Sequence, residues 1–219
     1  MSLIKTEKLK LFYQLLAGLF GCFALVLQLY LIIKNVPTSG KSYLSETVRF
    51  FSYMTIWTNI LVTLTFLVPL FAKNSRLGKF LSSPFMETGT MLYITVVGIS
   101  YHFLLSHIWA PTGWQKVADV SLHYAVPAIY IIYWFVFVKK GEQQFSNSYK
   151  WLVYPLIYIV YELIHGTIVN AYSYPFIDVN EHGYGTVLRN GLFLGVGYYL
   201  VGLLLIVIDK AMAKSFSKQ

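Results

Sequence analysis

The sequence predicts an all-α integral membrane bundle of six transmembrane helices, with the N and C termini in the cytoplasm. Its 219 residues are 57% hydrophobic and only 12% charged, which is too little charge to solvate an ordinary globular surface. The mean hydropathy is +0.59, and the apolar residues gather in six long stretches. These three observations together indicate a membrane protein.

Each stretch is long enough to cross a bilayer, because a hydrocarbon core of about 30 Å takes about 20 helical residues. The predicted helices cover about residues 11–33, 47–72, 88–109, 118–138, 150–171 and 188–209. The connections are short, so we expect residues 1–219 to form one transmembrane domain. The first stretch follows lysines, as in a signal peptide, but it is long and lacks a small-x-small cleavage site, so we expect it to remain a helix.

Lysines and arginines predict the orientation. Twelve lie on one side of the predicted helices: Lys5, Lys8, Lys10, Lys73, Arg76, Lys79, Lys139, Lys140, Lys150, Lys210, Lys214 and Lys218. Five lie on the other side: Lys34, Lys41, Arg49, Lys116 and Arg189. Basic residues favour the cytoplasmic side, which predicts both termini there, and the plasma (inner) membrane if the host is bacterial. No basic stripe typical of nucleic-acid binding is present, so the expected partners are lipids.

Polar and ionisable side chains inside the predicted helices are costly, so their positions indicate function. Counting about 1.5 Å per residue from each cytoplasmic end places one group about 18–27 Å above the inner boundary. This group comprises Thr55, Asn59, His102, His123, Glu162 and His165. The inner half has few such residues, which predicts a polar cavity in the outer half of the bundle.

Thr55 and His123 form the candidate catalytic pair. A hydroxyl nucleophile needs a base within hydrogen-bond reach, and these two residues occur at similar depth on different helices. Each also has a structural interpretation, as a hydroxyl bonded to its own helix or as a buried neutral histidine. Asn59 shares the helix face of Thr55 and is the first candidate oxyanion donor, with Thr58 second. Asp119 precedes His123 by one helical turn, but no orienting group stands out.

The Glu162-x-x-His165 spacing occurs in di-iron bundles, but those sites need a second such pair and further glutamates, which this chain does not supply. We therefore expect no metal and no cofactor. We expect Glu162, His165 and His102 to be supporting polar residues of the site. Glu162 and His165 position water, or Glu162 is a neutral or His-paired carboxyl that fixes helix register. Arg49 and Arg189 lie near outer helix ends and either extend to lipid headgroups or hold a substrate carboxylate.

Three short motifs carry a resemblance to a known family. They are Tyr53-Met54-Thr55-Ile56, His123-Tyr124-Ala125-Val126-Pro127 and Tyr174-Pro175-Phe176. In their order, spacing and six-helix setting they resemble the androgen-induced-gene and androgen-dependent tissue-factor-pathway-inhibitor-regulator family, including its small bacterial relatives, over nearly the whole chain. The resemblance implies a membrane threonine hydrolase that cleaves fatty acid esters of hydroxy fatty acids. The family's threonine in the second helix and histidine in the fourth match Thr55 and His123.

The chain departs from the animal members at two places. Its interval from His123 to Pro127 is one residue shorter, and Thr58-Asn59 replaces a stretch that is acidic there. Together, the Thr55–His123 pair and the resemblance lead to the hypothesis of a lipid ester hydrolase with an acyl-threonine intermediate, whose substrate enters from the bilayer. The alternative is a transporter or channel that uses the polar layer as a binding site and proton relay, and a third interpretation is a noncatalytic scaffold.

Overall fold

The computed structural model describes residues 3–216, which form helices and, within that part of the chain, no strand. Lys218, one of the charges used to predict orientation, lies outside the described residues. The α-helices are α1 (Leu3–Lys34), α2 (Val36–Ser39), α3 (Tyr43–Ser52), α4 (Met54–Ala72), α5 (Arg76–Leu81), α6 (Pro84–Ser100), α7 (Gly113–Val120), α8 (Val126–Phe137), α9 (Asn147–Lys150), α10 (Val153–Val169) and α11 (Val179–Phe216). Two π-helical turns follow α6 and α7, at Tyr101–Leu105 and Ser121–Ala125, and a 3-10 turn covers Pro175–Ile177.

Six helices are long and apolar enough to cross a membrane. Their bounds are Glu7–Thr38, Met54–Ala72, Pro84–Leu105, Gly113–Phe137, Asn147–Val169 and Val179–Ser215. An all-helical protein with six candidate spans is thus confirmed, and a multi-pass membrane location follows from it.

The second predicted helix, 47–72, is the one whose course differs most from expectation. It is interrupted at Tyr53, so that α3 and α4 are separate helices. Helix α3 is not among the candidate spans; its Glu46 is buried in the protein, whereas Leu44 and Val48 are exposed. Because the spanning helix begins only at Met54, Thr55 lies in its first turn. The predicted bounds 47–72 would place it about two turns from the beginning of the helix.

The described residues divide into two compact units. The first contains residues 3–50 and 55–139, and the second contains residues 51–54 and 140–216. Aromatic side chains fill the core of the first unit, where Phe66 of α4 packs against Tyr130 and Tyr133 of α8 with ring centroids 5.1 and 5.0 Å apart. Trp134 is also fully buried and donates its indole N–H to the Thr88 hydroxyl at 3.0 Å.

A buried polar network joins three helices of the first unit. The Tyr133 hydroxyl donates to Glu87 Oε1 at 2.6 Å, and the Gln14 amide donates to the Tyr133 oxygen at 3.0 Å. Lys10 Nζ lies 3.7 Å from the same Glu87 oxygen. A buried carboxylate is tolerated only when it is paired and hydrogen-bonded, so this network fixes how α1, α6 and α8 pack.

In the second unit, Asp209 of α11 holds the segment that follows α8. Its Oδ2 accepts the backbone N–H groups of Gly141 at 2.9 Å and Gln143 at 3.2 Å. Asp209 and Gln143 are both buried. The carboxylate therefore supplies acceptors for backbone donors that a loop would otherwise leave unpaired.

We expect Tyr133→Phe to lower the free energy of unfolding by about 1–3 kcal/mol, because Glu87 loses an O–H donor and Gln14 loses its acceptor inside the core. Denaturant unfolding in detergent micelles measures the change. Tyr30→Phe is the matched control, since Tyr30 is 57% exposed. Equal stability of the two variants would show that the network contributes nothing to packing.

Candidate active site

The hydroxyl of Thr55 lies beside the imidazole of His123 in the first unit. Thr55 Oγ1 is 3.3 Å from His123 Nε2, slightly beyond the 2.6–3.2 Å of a short nucleophile–base hydrogen bond. Thr55 is 7% exposed. The structure thus brings together, from α4 and the turn after α7, the two residues that the sequence pairs by depth.

Asp119 fixes which nitrogen of His123 carries the proton. His123 Nδ1 lies 3.0 Å from the Asp119 carbonyl oxygen and 3.2 Å from the Asp119 carboxylate Oδ1. Both atoms only accept hydrogen bonds, so Nδ1 is the protonated nitrogen. The lone pair of Nε2 is then directed at the Thr55 hydroxyl, which is the arrangement that a general base requires.

Tyr101 contacts both His123 and Asp119. Its ring stacks on the imidazole of His123 with centroids 3.8 Å apart and planes 10° apart. Its hydroxyl donates to Asp119 Oδ2 at 2.5 Å. Nothing in the sequence pattern distinguishes Tyr101 among 18 tyrosines, because its role depends on a contact between two helices.

Pro127 explains why His123 lies in a widened turn. Proline has no N–H to donate, and its ring clashes with the carbonyl four residues earlier, which here belongs to His123. The chain responds with the π-helical turn Ser121–Ala125, in which the N–H of Val126 bonds to the carbonyl of Ser121. Such single π turns are frequent at functional sites.

Gly98 of α6 permits close approach to this widened turn. A Cβ at position 98 would lie only 3.2 Å from the carbonyl oxygen of His123, closer than side-chain carbons ordinarily approach an oxygen. Glycine therefore allows the backbone of α6 to pass beside His123. Tyr101 follows three residues later, at the start of the π-helical turn that continues α6, within stacking distance of the imidazole.

Asn59 uses its amide donors on the backbone. They reach the carbonyl of Thr55 at 2.8 Å and that of Leu122 at 3.2 Å. The Leu122 carbonyl needs this donor, because Val126 bonds elsewhere and Pro127 has no N–H. The geometry therefore gives Asn59 a structural task in place of the predicted oxyanion contact. Thr58, the second predicted donor, is fully buried.

Glu162 and His165 lie together on α10 in the second unit. Glu162 Oε1 accepts the N–H of Ser173 at 2.6 Å, and its Oε2 is 3.5 Å from His165 Nδ1. Those two facing atoms are buried and have no hydrogen-bond partner among the described residues. No group of three or more His, Cys, Asp or Glu side chains suited to a metal ion occurs within residues 3–216.

The remaining predicted residues are exposed or have other partners. His102 is exposed, with Nδ1 3.2 Å from the Tyr124 hydroxyl. Arg49 Nε donates to Glu46 at 2.9 Å, so its guanidinium already holds a carboxylate of its own helix. Arg189 is exposed on α11 in the second unit.

Replacing Asn59 by leucine tests its structural task. We expect Asn59→Leu to lower the free energy of unfolding by about 1–3 kcal/mol, because the buried Leu122 carbonyl loses its donor. Thermal unfolding in detergent measures this change. An oxyanion donor would give the opposite pattern, with unchanged stability and a large loss of turnover.

Glu46 gives a pH dependence that is separate from the site. It lies outside the six candidate spans, and the hydrogen bond from Arg49 holds its pKa below the ordinary value, although burial acts in the other direction. Its contribution to stability is therefore complete above the ordinary pKa of about 4.3 and is lost as the pH falls through the lower, folded-state pKa.

We expect the stability difference between wild type and Glu46→Gln to shrink as the pH falls from 7 to about 3. The Arg49 side chain is 41% exposed, so the difference at neutral pH is below about 1 kcal/mol. Unfolding curves of both proteins across this range measure it. A constant difference at every pH would contradict the ion pair.

Comparison of the chain with protein-family models, with characterised proteins and with solved structures gave no match. The central contact is a hydroxyl facing a histidine nitrogen, with an aspartate on the far side of the ring.

Proposed function

We propose that this protein is a membrane-embedded lipid ester hydrolase with Thr55 as the nucleophile and His123 as the general base. The single observation that carries the proposal is the 3.3 Å approach of Thr55 Oγ1 to His123 Nε2, with Nδ1 engaged by Asp119. A hydroxyl, an imidazole and a carboxylate in this order are the parts of a hydrolytic triad, which is recognised by geometry and not by sequence position.

The reaction has two halves. His123 Nε2 takes the proton from Thr55 as Oγ1 attacks the ester carbonyl, and the resulting tetrahedral intermediate expels an alkoxide that takes the proton back from His123. The alcohol leaves, and the acyl group remains on Thr55. His123 then activates a water that attacks the acyl-threonine, so that the fatty acid is released and the Thr55 hydroxyl is restored.

Asp119 is assigned the orienting role in both halves. Its backbone carbonyl accepts from Nδ1 at 3.0 Å and so keeps the lone pair of Nε2 toward Thr55. Its carboxylate, 3.2 Å from Nδ1, stabilises the imidazolium that forms when the proton moves. The aspartate lies one helical turn before His123, so the pair is held within a single stretch of helix. Its burial keeps competing water away from the carboxylate.

The position of Thr55 in the first turn of α4 favours the developing negative charge. Amide dipoles make the amino end of a helix electropositive, and a charge that grows in the transition state benefits most from dipoles already aligned with it. With the Asn59 amide engaged by carbonyls, this helix end is the main electrostatic support that we assign to the oxyanion.

The substrate class follows from depth and from the family resemblance. Thr55 precedes Ala72, the last residue of α4, by 17 residues, which is about 26 Å of helix. With both termini in the cytoplasm, the nucleophile lies in the outer part of a core about 30 Å thick. A fatty acid ester of a hydroxy fatty acid, or a similar lipid ester, has its ester group within reach from the bilayer.

Activity assays test the proposal directly. Purified protein should release fatty acid from such an ester, and Thr55→Ala and His123→Ala should each lower kcat by about 1000-fold or more. Thr63→Ala is the matched control, because Thr63 lies two turns further along α4 and its hydroxyl bonds to the Asn59 carbonyl of its own helix. A fluorophosphonate should label wild type at Thr55.

Two results would decide against the hydrolase. Full activity of a folded Thr55→Ala protein would exclude Thr55 as the nucleophile. Proton or solute flux in proteoliposomes, without labelling of Thr55, would favour the transporter, for which the buried Glu162–His165 pair would serve as the ionisable site.

A further inference from the structure

We propose that Tyr101 is a positioning residue of this site, which holds the plane of the His123 ring with its own ring and the Asp119 carboxylate with its hydroxyl. The inference rests on the proposed function and adds to it a residue that acts through His123 and Asp119. Tyr101 is buried, and the first unit contains all four side chains.

The ring of Tyr101 limits rotation of the imidazole. With centroids 3.8 Å and planes 10° apart, a turn of the imidazole about its Cβ–Cγ bond would drive its edge into the phenol. That rotation would replace Nε2 by a carbon at Thr55. The ring of Tyr101 is itself packed against Tyr124, with ring centroids 5.6 Å apart and planes at 86°. An aromatic face also favours the positive charge that His123 acquires during attack.

The hydroxyl of Tyr101 binds one of the two oxygens of the Asp119 carboxylate. Oδ2 accepts from Tyr101 at 2.5 Å, which leaves Oδ1 for His123 Nδ1 at 3.2 Å. A hydrogen bond to an ionised group is short and about twice as strong as a neutral one. Without it, the carboxylate is free to rotate about its own Cβ–Cγ bond and to leave the imidazole.

These two contacts act on different atoms, so two substitutions separate them. Tyr101→Phe keeps the ring and removes the hydroxyl, whereas Tyr101→Leu removes both. We expect kcat to fall about tenfold in Tyr101→Phe, the effect of one lost charged hydrogen bond. In Tyr101→Leu we expect about a 100-fold fall, since small misplacements of reacting groups have effects of this size. KM should stay within about twofold, because substrate binding is not altered.

Tyr130→Phe is the matched control. Tyr130 is a fully buried tyrosine of the same unit, and its hydroxyl donates to the backbone carbonyl of Glu87 at 3.1 Å. This variant loses a buried hydrogen bond without touching His123 or Asp119. Its kcat should therefore match wild type even if its unfolding temperature falls as much as that of Tyr101→Phe.

A spectroscopic measurement tests the same inference without turnover. The ¹⁵N shifts of the His123 ring distinguish Nδ1–H from Nε2–H. We expect a single Nδ1–H tautomer in wild type and a mixture of the two in Tyr101→Leu, because without the stacked ring the imidazole is free to rotate Nδ1 away from the carbonyl and the carboxylate of Asp119. If Tyr101→Leu does not fold, Tyr101→Phe and the wild-type tautomer decide the matter.

The outcomes separate the inference from the function on which it rests. Wild-type kcat in Tyr101→Phe and Tyr101→Leu, with Thr55→Ala inactive, would overturn the positioning role and leave the hydrolase intact. An Nε2–H tautomer in wild type would overturn both the positioning role and His123 as the general base, because Nε2 would then have no lone pair for the Thr55 proton. If wild type neither cleaves the ester nor labels at Thr55, the proposed function fails, and the role of Tyr101 fails with it.

Discussion

The site depends on one missing hydrogen-bond donor, the absent N–H of Pro127. Because proline cannot pair with the carbonyl of His123, the helix widens through Ser121–Ala125. The widened turn leaves the Leu122 carbonyl to be satisfied by Asn59, and this hydrogen bond links the turn Ser121–Ala125 to α4. One local backbone constraint thus sets both the direction of the imidazole and its distance from the helix that carries Thr55.

The same rule applies to three buried carboxylates, since an unpaired polar group in an apolar interior is expensive. Glu87 is met by a tyrosine hydroxyl, Asp119 by Tyr101 and His123, and Asp209 by backbone amides. In each case at least one partner comes from a separate helix or loop. Buried carboxylates therefore specify packing here, where apolar surface alone would allow many arrangements of similar helices.

A feature was predictable from the sequence when it depends on residues that are close together along the chain. Hydropathy over 20 residues is a local property, and it predicted six spans. Depth counting predicted that Thr55 and His123 share a level, because rise per residue is constant along a helix. The break at Tyr53 was not predicted, because apolar residues continue across it. Tyr101 was not predicted either, since its partners lie on another helix and nothing in the local pattern records that contact.

The break at Tyr53 also links the reactive centre to bilayer thickness. Helix α4 has 19 residues and is about 28 Å long, slightly short for an average hydrocarbon core of about 30 Å. A short span has little freedom to tilt, and the lipids around it must thin instead. Membranes with longer acyl chains would therefore draw the first turn of α4 deeper below the headgroups. Lipid composition, without any ligand, would then decide which ester linkages lie level with Thr55, the proposed nucleophile.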